Sequence, residues 1–296
     1  MSAQGEATEP WAPERRAMAI NTAGGNPSNG ALVDVPKGLE GVVVADTSVG
    51  DVRGREGFYH YHQYSAVELA AARSFEDVWY LLLHGALPDS AESEGFARVV
   101  RSRRRLPQKL ATLLPEMSNE GSELDVLRSA VSLLGAELEW GPTSDLDQSE
   151  LHNQALGLAA VVPSILASAY RLRAGLQPLP PRDDLGHAAN YLWMLTGTEP
   201  NPGKAKAIEQ YMVLTIDHGF NASTFTARVI TSTGADLAAA VCGAIGALSG
   251  PLHGGAPARV LEMLQAIGTG DRAEDWLRTA VEQGERLPGF GHRVYK

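Results

Sequence analysis

Cysteine is almost absent from this sequence, since Cys242 is the only one among 296 residues. A single cysteine cannot form a disulfide within one chain. It lies among alanine, valine and glycine, a setting typical of a packed helix rather than of a redox or zinc site. A disulfide-stapled secreted protein is therefore excluded, and we expect a cytoplasmic location.

Long apolar runs and an excess of basic residues are also lacking. No run approaches the roughly 20 apolar residues that span a bilayer, so no membrane segment is predicted. Acidic residues outnumber basic ones by 35 to 25 and the formal net charge is -10. This charge disfavours nucleic acid as a partner but leaves a small anionic ligand open. The one basic cluster is interpreted as a solvated helix end in preference to a phosphate site; it comprises Arg101, Arg103, Arg104 and Arg105.

Strand signals are few. Residues 41–46 and 58–61 are the only convincing extended runs, and the turn-rich residues 50–54 separate them, so at most one short hairpin is predicted. Neither an internal repeat nor an alternating strand–helix rhythm is found. The sequence therefore predicts an all-α (mainly α) fold, preceded by a disordered leader over residues 1–37 that is rich in Ala, Gly, Pro and Asn.

Helical periodicity is clear in the middle of the chain. Ser65 and Ser74 are each followed three residues later by an acidic residue, which is typical of helix starts. A longer apolar helix is predicted from about Asp147 to Gly175, with a kink at Pro163. An amphipathic helix ending near residue 141 is predicted from apolar residues at three-and-four spacing: Leu124, Leu127, Val131, Leu134 and Leu138.

The last third of the chain holds three histidine motifs rich in glycine. They are Asp217-His218-Gly219 with Asn221 and Ser223, then Gly250-Pro251-Leu252-His253-Gly254-Gly255, then Pro288-Gly289-Phe290-Gly291-His292-Arg293. Glycine lets the backbone approach a ligand closely, so the motifs suggest an enzyme. No histidine spacing of a metal site and no Gly-x-Ser-x-Gly elbow around Ser223 is present, so neither a metal site nor a serine hydrolase is predicted.

Each histidine has a functional and a structural interpretation. His253 precedes Pro257, which suits the first position of a helix. A helix N-terminus disfavours imidazolium, so a neutral ring there could donate a hydrogen bond to a developing oxyanion; alternatively, it satisfies loop backbone groups. His218 and Asn221 could face one pocket or form a capping turn. The loop around His292 suits an anionic ligand.

In combination, these motifs resemble those of the citrate synthase family, from about Gly38 to Lys296. The resemblance implies a large helical domain over residues 38–256 and the start of a small domain over residues 257–296. It also implies an acyltransferase that condenses acetyl-CoA with oxaloacetate to give citrate and CoA, as a homodimer without a permanently bound cofactor. Acetyl-CoA is then a co-substrate, and 2-methylcitrate synthase, which uses propionyl-CoA, is the alternative enzyme.

The resemblance also implies residue roles. His253 would hydrogen-bond the enolate of acetyl-CoA, and His292 would polarise the ketone of oxaloacetate. His218 would contact an oxaloacetate carboxylate, supported by Asn221 and Ser223. The CoA contacts would come from Pro288, Gly289, Phe290 and Gly291, and from Lys296 near the phosphates.

Two departures from the family pattern shape the expectation. His62 stands where the family usually has arginine, which removes a fixed cation. The family's catalytic aspartate and substrate-binding arginines lie beyond the third motif, so we expect little condensing activity from these 296 residues alone. The remaining alternative is therefore a truncated ligand-binding or interaction protein.

Overall fold

A computed structural model describes residues 43–254 and 258–290 of the chain. The predicted leader, Pro257, Gly291, His292 and Lys296 lie outside the described residues. The chain divides into two units, residues 1–46 and residues 47–296. The helices and strands described below all belong to the second unit.

Helices dominate the described residues, as the sequence predicts. In chain order they are α1 (Ala66–Ala72), α2 (Phe75–His84), α3 (Ser90–Ser102), α4 (Gln108–Met117), α5 (Glu123–Glu137), α6 (Gln148–Arg173), α7 (His187–Thr196), α8 (Pro202–Thr215), α9 (Ala222–Thr231), α10 (Leu237–Leu248), α11 (Ala258–Ile267) and α12 (Ala273–Glu282). Short 3₁₀ turns precede α6 and α12, at Thr143–Asp145 and Gly270–Arg272.

The sheet differs from the predicted hairpin. Within residues 43–254 and 258–290 it has three antiparallel strands, β1 (Gly50–Arg53), β2 (Phe58–Tyr61) and β3 (Tyr64–Ser65), in the order β1-β2-β3. Residues 43–46 form no strand, and the stretch interpreted as a turn forms β1. The prediction was wrong because β1 is specified by pairing, with Gly50 opposite Tyr61 and Arg53 opposite Phe58, rather than by its own polar sequence.

Local capping signals predict several helix ends correctly. The Ser65 and Ser74 hydroxyls accept hydrogen bonds from the backbone N–H groups of Glu68 and Asp77, as N-caps do. Asp147 caps α6 in the same way. The helix that the apolar spacing predicts is α5, which buries Leu127, Val131 and Leu134, whereas Leu138 lies after its end and is 49% exposed.

Small residues bring α5, α9 and α10 together. A Cβ added at Gly135 of α5 would collide with the Cβ of Ala238 in α10, and one added at Gly243 of α10 would collide with the side chain of Ile230 in α9. The small residues of α10 therefore allow its backbone to lie close to both neighbouring helices. This packing fixes where α10 ends relative to the start of α9.

Helix α6 crosses the helical core. It is long and apolar enough to span a membrane, but 56% of its most apolar window is buried inside the protein. Val161 and Ile165 of α6 pack in the same apolar cluster as the buried face of α5. The helix therefore behaves as a core helix of the described structure.

One arginine of the basic cluster is buried, contrary to the interpretation of a solvated helix end. The side chain of Arg104 is only 1% exposed, and its Nη2 lies 3.3 Å from Oε1 of Glu76. The same Glu76 oxygen accepts a hydrogen bond of 2.9 Å from the backbone N–H of His187, at the start of α7. We call these three residues the Arg104–Glu76–His187 cluster. It joins α2, α7 and the end of α3, a tertiary role that local sequence does not reveal.

Burial dominates the ionisation of this cluster. Removal from water lowers the pKa of His187 to about 3, and the positive charge of Arg104 adds to the effect. Burial also raises the pKa of Glu76, against the attraction of Arg104. The imidazole of His187 is thus neutral at physiological pH and stacks on Phe75 with a centroid separation of 5.2 Å.

Candidate active site

The first histidine motif forms the connection between α8 and α9. Gly219 has a φ of +68°, which glycine adopts readily and which turns the chain after His218. The carboxylate of Asp217 accepts a hydrogen bond of 3.3 Å from the backbone N–H of Gly219. Asn221 then caps α9, since its Oδ1 accepts a hydrogen bond of 2.9 Å from the N–H of Thr224. The capping interpretation of this motif is therefore correct for Asn221.

The second motif brings His253 to the beginning of α9. Its Nε2 lies 3.0 Å from Oγ of Ser223 and 3.3 Å from the backbone N of Ser223. The hydroxyl of Ser223 also donates to Oδ1 of Asn221, at 2.8 Å. The two motifs thus form one connected group, the Asn221–Ser223–His253 cluster, from residues thirty positions apart in the chain.

Glycine is required where His253 is held. His253 follows α10 in a turn, in which its N–H donates to the carbonyl of Gly250 at 3.0 Å. A Cβ at Gly254 would lie 2.5 Å from the carbonyl oxygen of Leu248 and would also collide with that leucine's side chain. A larger residue at position 254 would therefore displace the turn that carries His253.

The hydrogen bonds of His253 assign its tautomer. Because the backbone N–H of Ser223 can only donate, Nε2 acts as the acceptor, and the proton resides on Nδ1. The hydroxyl proton of Ser223 is directed to Asn221 in the same arrangement.

His218 lies against the sheet. Its ring packs edge-to-face on Tyr59 of β2, with 5.4 Å between centroids. The hydroxyl of Tyr59 donates to the carbonyl of Leu214 near the end of α8, at 2.8 Å. Sequence reasoning missed Tyr59 as a site residue, although it belongs to the extended run of residues 58–61. Only the tertiary contact distinguishes it from the other aromatic residues of that run.

The described part of the third motif lies beside α11. Gly289 has a φ of +83°, and a Cβ there would lie 3.2 Å from Cγ2 of Val260. Phe290 is 67% exposed, and its N–H donates to the carbonyl of Leu287 at 3.3 Å. The predicted CoA contacts of Pro288, Gly289 and Phe290 remain predictions. Gly291, His292 and Lys296 fall outside the described residues.

The departure at His62 is a backbone feature as well as a change of charge. His62 has a φ of +47° in the turn between β2 and β3, a conformation uncommon for residues other than glycine. Its N–H donates to the carbonyl of Val49 at 2.8 Å, and its own carbonyl contacts Nδ1 of His60 at 2.5 Å. His62 is therefore fixed within the sheet, whereas its effect on substrate binding remains a prediction.

Known proteins share both the sequence and the fold. The sequence model of the family described as "Citrate synthase, C-terminal domain" matches residues 38–296. A 2-methylcitrate synthase of Mycobacterium tuberculosis is 43% identical over 263 residues, which cover 89% of this chain and 66% of that protein. A citrate synthase of Mycolicibacterium smegmatis is 44% identical over 264 residues, covering 88% and 69%.

A solved structure gives the same result. The citrate synthase of Thermoplasma acidophilum, in complex with carboxymethyl coenzyme A and oxaloacetate, superposes with a TM-score of 0.80 at 27% identity. The match covers 88% of this chain and 68% of that one. The chain thus spans about two thirds of the length of the proteins it matches. The family match, the shared fold and the histidine motifs together show that this chain belongs to the citrate synthase family.

Proposed function

We propose that this protein binds oxaloacetate and an acyl-CoA and serves a citrate synthase-type condensation, as an acyltransferase. The observation that carries this proposal is the geometry of His253. The hydrogen bond from the backbone N–H of Ser223 to Nε2 leaves the Nδ1–H of a neutral imidazole as the donor. A fixed neutral donor suits an oxyanion that develops only during the reaction.

The proposed chemistry begins with transfer of a proton from the methyl group of acetyl-CoA to a carboxylate base, a role that the family pattern gives to the catalytic aspartate beyond the third motif. The enolate oxygen that forms would accept a hydrogen bond from Nδ1–H of His253. One such donor is typically worth about 3 to 4 kcal/mol in the transition state. The nucleophilic carbon would then attack the ketone of oxaloacetate, polarised by His292 in this proposal, and hydrolysis of the thioester would give citrate and CoA.

Oxaloacetate binding is assigned to the connection between α8 and α9. His218 would contact a carboxylate, and its edge-to-face contact with Tyr59 restricts the ring. Asn221 and Ser223 would support this pocket by fixing the start of α9. The support for these roles is that one short connection carries His218 and also reaches His253. Pro288, Gly289, Phe290, Gly291 and Lys296 are proposed for CoA.

The names of two similar relatives suggest different acyl donors for this protein. The mycobacterial relatives at 43% and 44% identity are named 2-methylcitrate synthase and citrate synthase, respectively. Propionyl-CoA is therefore the second candidate for this protein. The two reactions need the same oxyanion donor, so the Asn221–Ser223–His253 cluster serves either one.

Ligand binding and CoA release test the proposal together. Titration calorimetry with oxaloacetate and carboxymethyl-CoA is expected to show binding, which weakens for CoA in His253→Ala but not in His152→Ala, a matched histidine in α6. CoA release is followed with a thiol reagent for acetyl-CoA and propionyl-CoA, and the faster donor identifies the reaction. Absence of binding by both ligands would overturn the proposal; binding without any release would support the ligand-binding alternative instead.

We further propose a cytoplasmic homodimer. The family resemblance motivates this state, and exposed apolar side chains on three helices are available for an interface: Tyr170 of α6, Tyr211 of α8 and Val229 of α9. Light scattering of the purified chain tests it, and a mass equal to one chain at micromolar concentration would contradict it.

A further inference from the structure

A pocket with polar and apolar walls lies apart from the histidine motifs. It has a volume of about 290 Å³, close to the lower end of the range for small-molecule sites, about 300 to 1,000 Å³. The loop after α3, the end of α5 and the first half of α6 enclose it. Its walls combine arginines, a carboxylate, an amide and large apolar side chains, among them Arg103, Arg105, Leu134, Trp140, Glu150 and Gln154.

Gln154 supplies a buried acceptor in this pocket. The residue is only 8% exposed, and its Oε1 has no hydrogen-bond partner in the described part of the chain. Its Nε2 donates to Oε1 of Glu150 at 3.4 Å, which orients the amide. A buried carbonyl without a donor is costly, so a ligand that brings an N–H or O–H group to Oε1 would be stabilised.

The arginines differ in their freedom to bind a ligand. The guanidinium of Arg103 donates to the backbone carbonyl and the side-chain oxygen of Asn153, so it is held in place at the wall. Arg105 is 61% exposed and lies 3.6 Å from the exposed carboxylate of Asp183. Such exposed pairs are weak, so Arg105 can turn to another carboxylate at little cost.

Part of the pocket lining is apolar. Leu134 is buried in α5, and Trp140 lies just beyond the end of that helix. Gly157 of α6 lines the pocket too, and a Cβ built there would meet only Arg103 atoms, at 3.7 and 3.9 Å. These are ordinary contact distances, so the absence of a side chain at Gly157 leaves space that a ligand can use.

We propose that this pocket binds an apolar α-amino acid. The ammonium group donates to Oε1 of Gln154 beside the carboxylate of Glu150. The carboxylate of the ligand pairs with Arg105, and its side chain packs on Leu134 and Trp140. A carboxylate and an amide acceptor beside the arginines favour a zwitterion over a phosphate or another dianion, because Glu150 would repel the latter. The proposal does not depend on the condensation activity.

Ligand-observed NMR on the full chain tests this inference, with L-leucine and L-tryptophan as probes. At least one of them is expected to bind at millimolar concentration or below. N-acetyl-L-leucine, which lacks the ammonium group, is expected to bind about tenfold more weakly, since a charged hydrogen bond to the buried acceptor is lost. Failure of both amino acids to bind, or equal binding of the acetylated compound, would overturn the proposal.

Two glycine variants locate the binding. Gly157→Leu fills the pocket from the middle of α6, where leucine is a better helix former than glycine, so folding is expected to be retained. Gly95→Leu in α3 is the matched control, because a Cβ there meets nothing within 4 Å. Binding should be lost in the first variant and unchanged in the second, with circular dichroism verifying both folds. Retained binding in Gly157→Leu would place the amino acid elsewhere and overturn the assignment.

Discussion

Two polar clusters in this molecule each contain a histidine, but their environments differ. In the Arg104–Glu76–His187 cluster, each of the three residues is at least nine-tenths buried. In the Asn221–Ser223–His253 cluster, the residues are half-buried and lie at a helix start beside a glycine turn. The first cluster connects helices through charges that water cannot reach. The second presents a ring nitrogen at a surface that a ligand can approach.

Burial separates the structural role of the first cluster from the chemical role of the second. A buried ion pair is strongly destabilising to break, because removal of one partner leaves the other charge unsolvated. A half-buried imidazole can instead exchange a solvent contact for a substrate contact. The presence of a histidine therefore indicates neither role. The burial of its side chain and the groups around it determine whether the role is structural or chemical.

The largest expected effect is the loss of Arg104. Arg104→Ala leaves the Glu76 carboxylate buried without its cation and should lower the free energy of unfolding by about 3 to 5 kcal/mol. Urea denaturation followed by circular dichroism measures this change. The double variant Arg104→Met with Glu76→Leu should lose less, because no buried charge remains. A loss below about 1 kcal/mol in Arg104→Ala would show that the cluster is not a structural pair.

The next largest expected effect is the pH dependence of stability that His187 causes in the first cluster. The pKa of His187 is about 3 in the folded protein, whereas the ordinary pKa of a histidine is 6.5. Between pH 3 and 6.5 the unfolded chain binds a proton that the folded chain does not. The contribution of neutral His187 to the free energy of unfolding is therefore complete above about pH 6.5 and decreases as the pH falls towards 3. His187→Phe removes this titration. Its stability should therefore fall less steeply on acidification, by up to about 1.4 kcal/mol per pH unit, in urea titrations between pH 4 and 6.5. Parallel profiles of the two proteins would contradict the prediction.

Two asparagines cap helices, but only Asn221 also bonds to the second cluster. Asn221→Ala and Asn201→Ala each remove a side-chain cap, of α9 and α8 respectively, and each should cost about 1 kcal/mol in denaturation experiments. Only Asn221→Ala also releases the hydroxyl of Ser223. The ¹⁵N chemical shifts of His253 should therefore change in that variant alone. Equal shifts in both variants would disconnect Asn221 from His253.

The smallest expected effect concerns an exposed ion pair, which serves as a reference for the buried pair of Arg104 and Glu76. Arg278 and Glu274 form an exposed pair of 2.7 Å on α12, with side chains 70% and 75% exposed. Arg278→Ala should change the free energy of unfolding by about 0.3 to 0.5 kcal/mol, and less at high salt. The same urea experiment measures this change in the free energy of unfolding with and without 1 M NaCl. At that salt concentration the Debye length is roughly 3 Å. An effect as large as that of Arg104→Ala would remove the contrast between buried and exposed pairs.

Local patterns predicted the helices well and the sheet poorly. Ser65, Ser74 and Asp147 cap helices as expected, because capping depends on neighbours in the chain. Strand β1 was missed, because its residues are polar and turn-like and are ordered by their partner β2. The spacing of leucines predicted α5, but it did not predict that Leu138 lies exposed after the end of that helix.

The candidate site was predictable in its residue types but not in its connections. Glycine beside each histidine indicated where a ligand could approach, and the family resemblance supplied the proposed roles. The link from Ser223 to His253 was not predicted, because close packing of α9 on α10 creates it. Tyr59 was missed for a similar reason, since its contact with His218 joins the sheet to the end of α8.

The amino-acid sequence alone specifies a mainly helical chain of the citrate synthase family, with helix starts and glycine turns at fixed positions. These features arise from backbone propensity and from side chains that bond to their own neighbours. Tertiary structure alone decided that Arg104 is buried against Glu76 and that the proton of His253 resides on Nδ1. Both depend on groups distant in sequence that exclude water or donate a hydrogen bond only after the helices have packed.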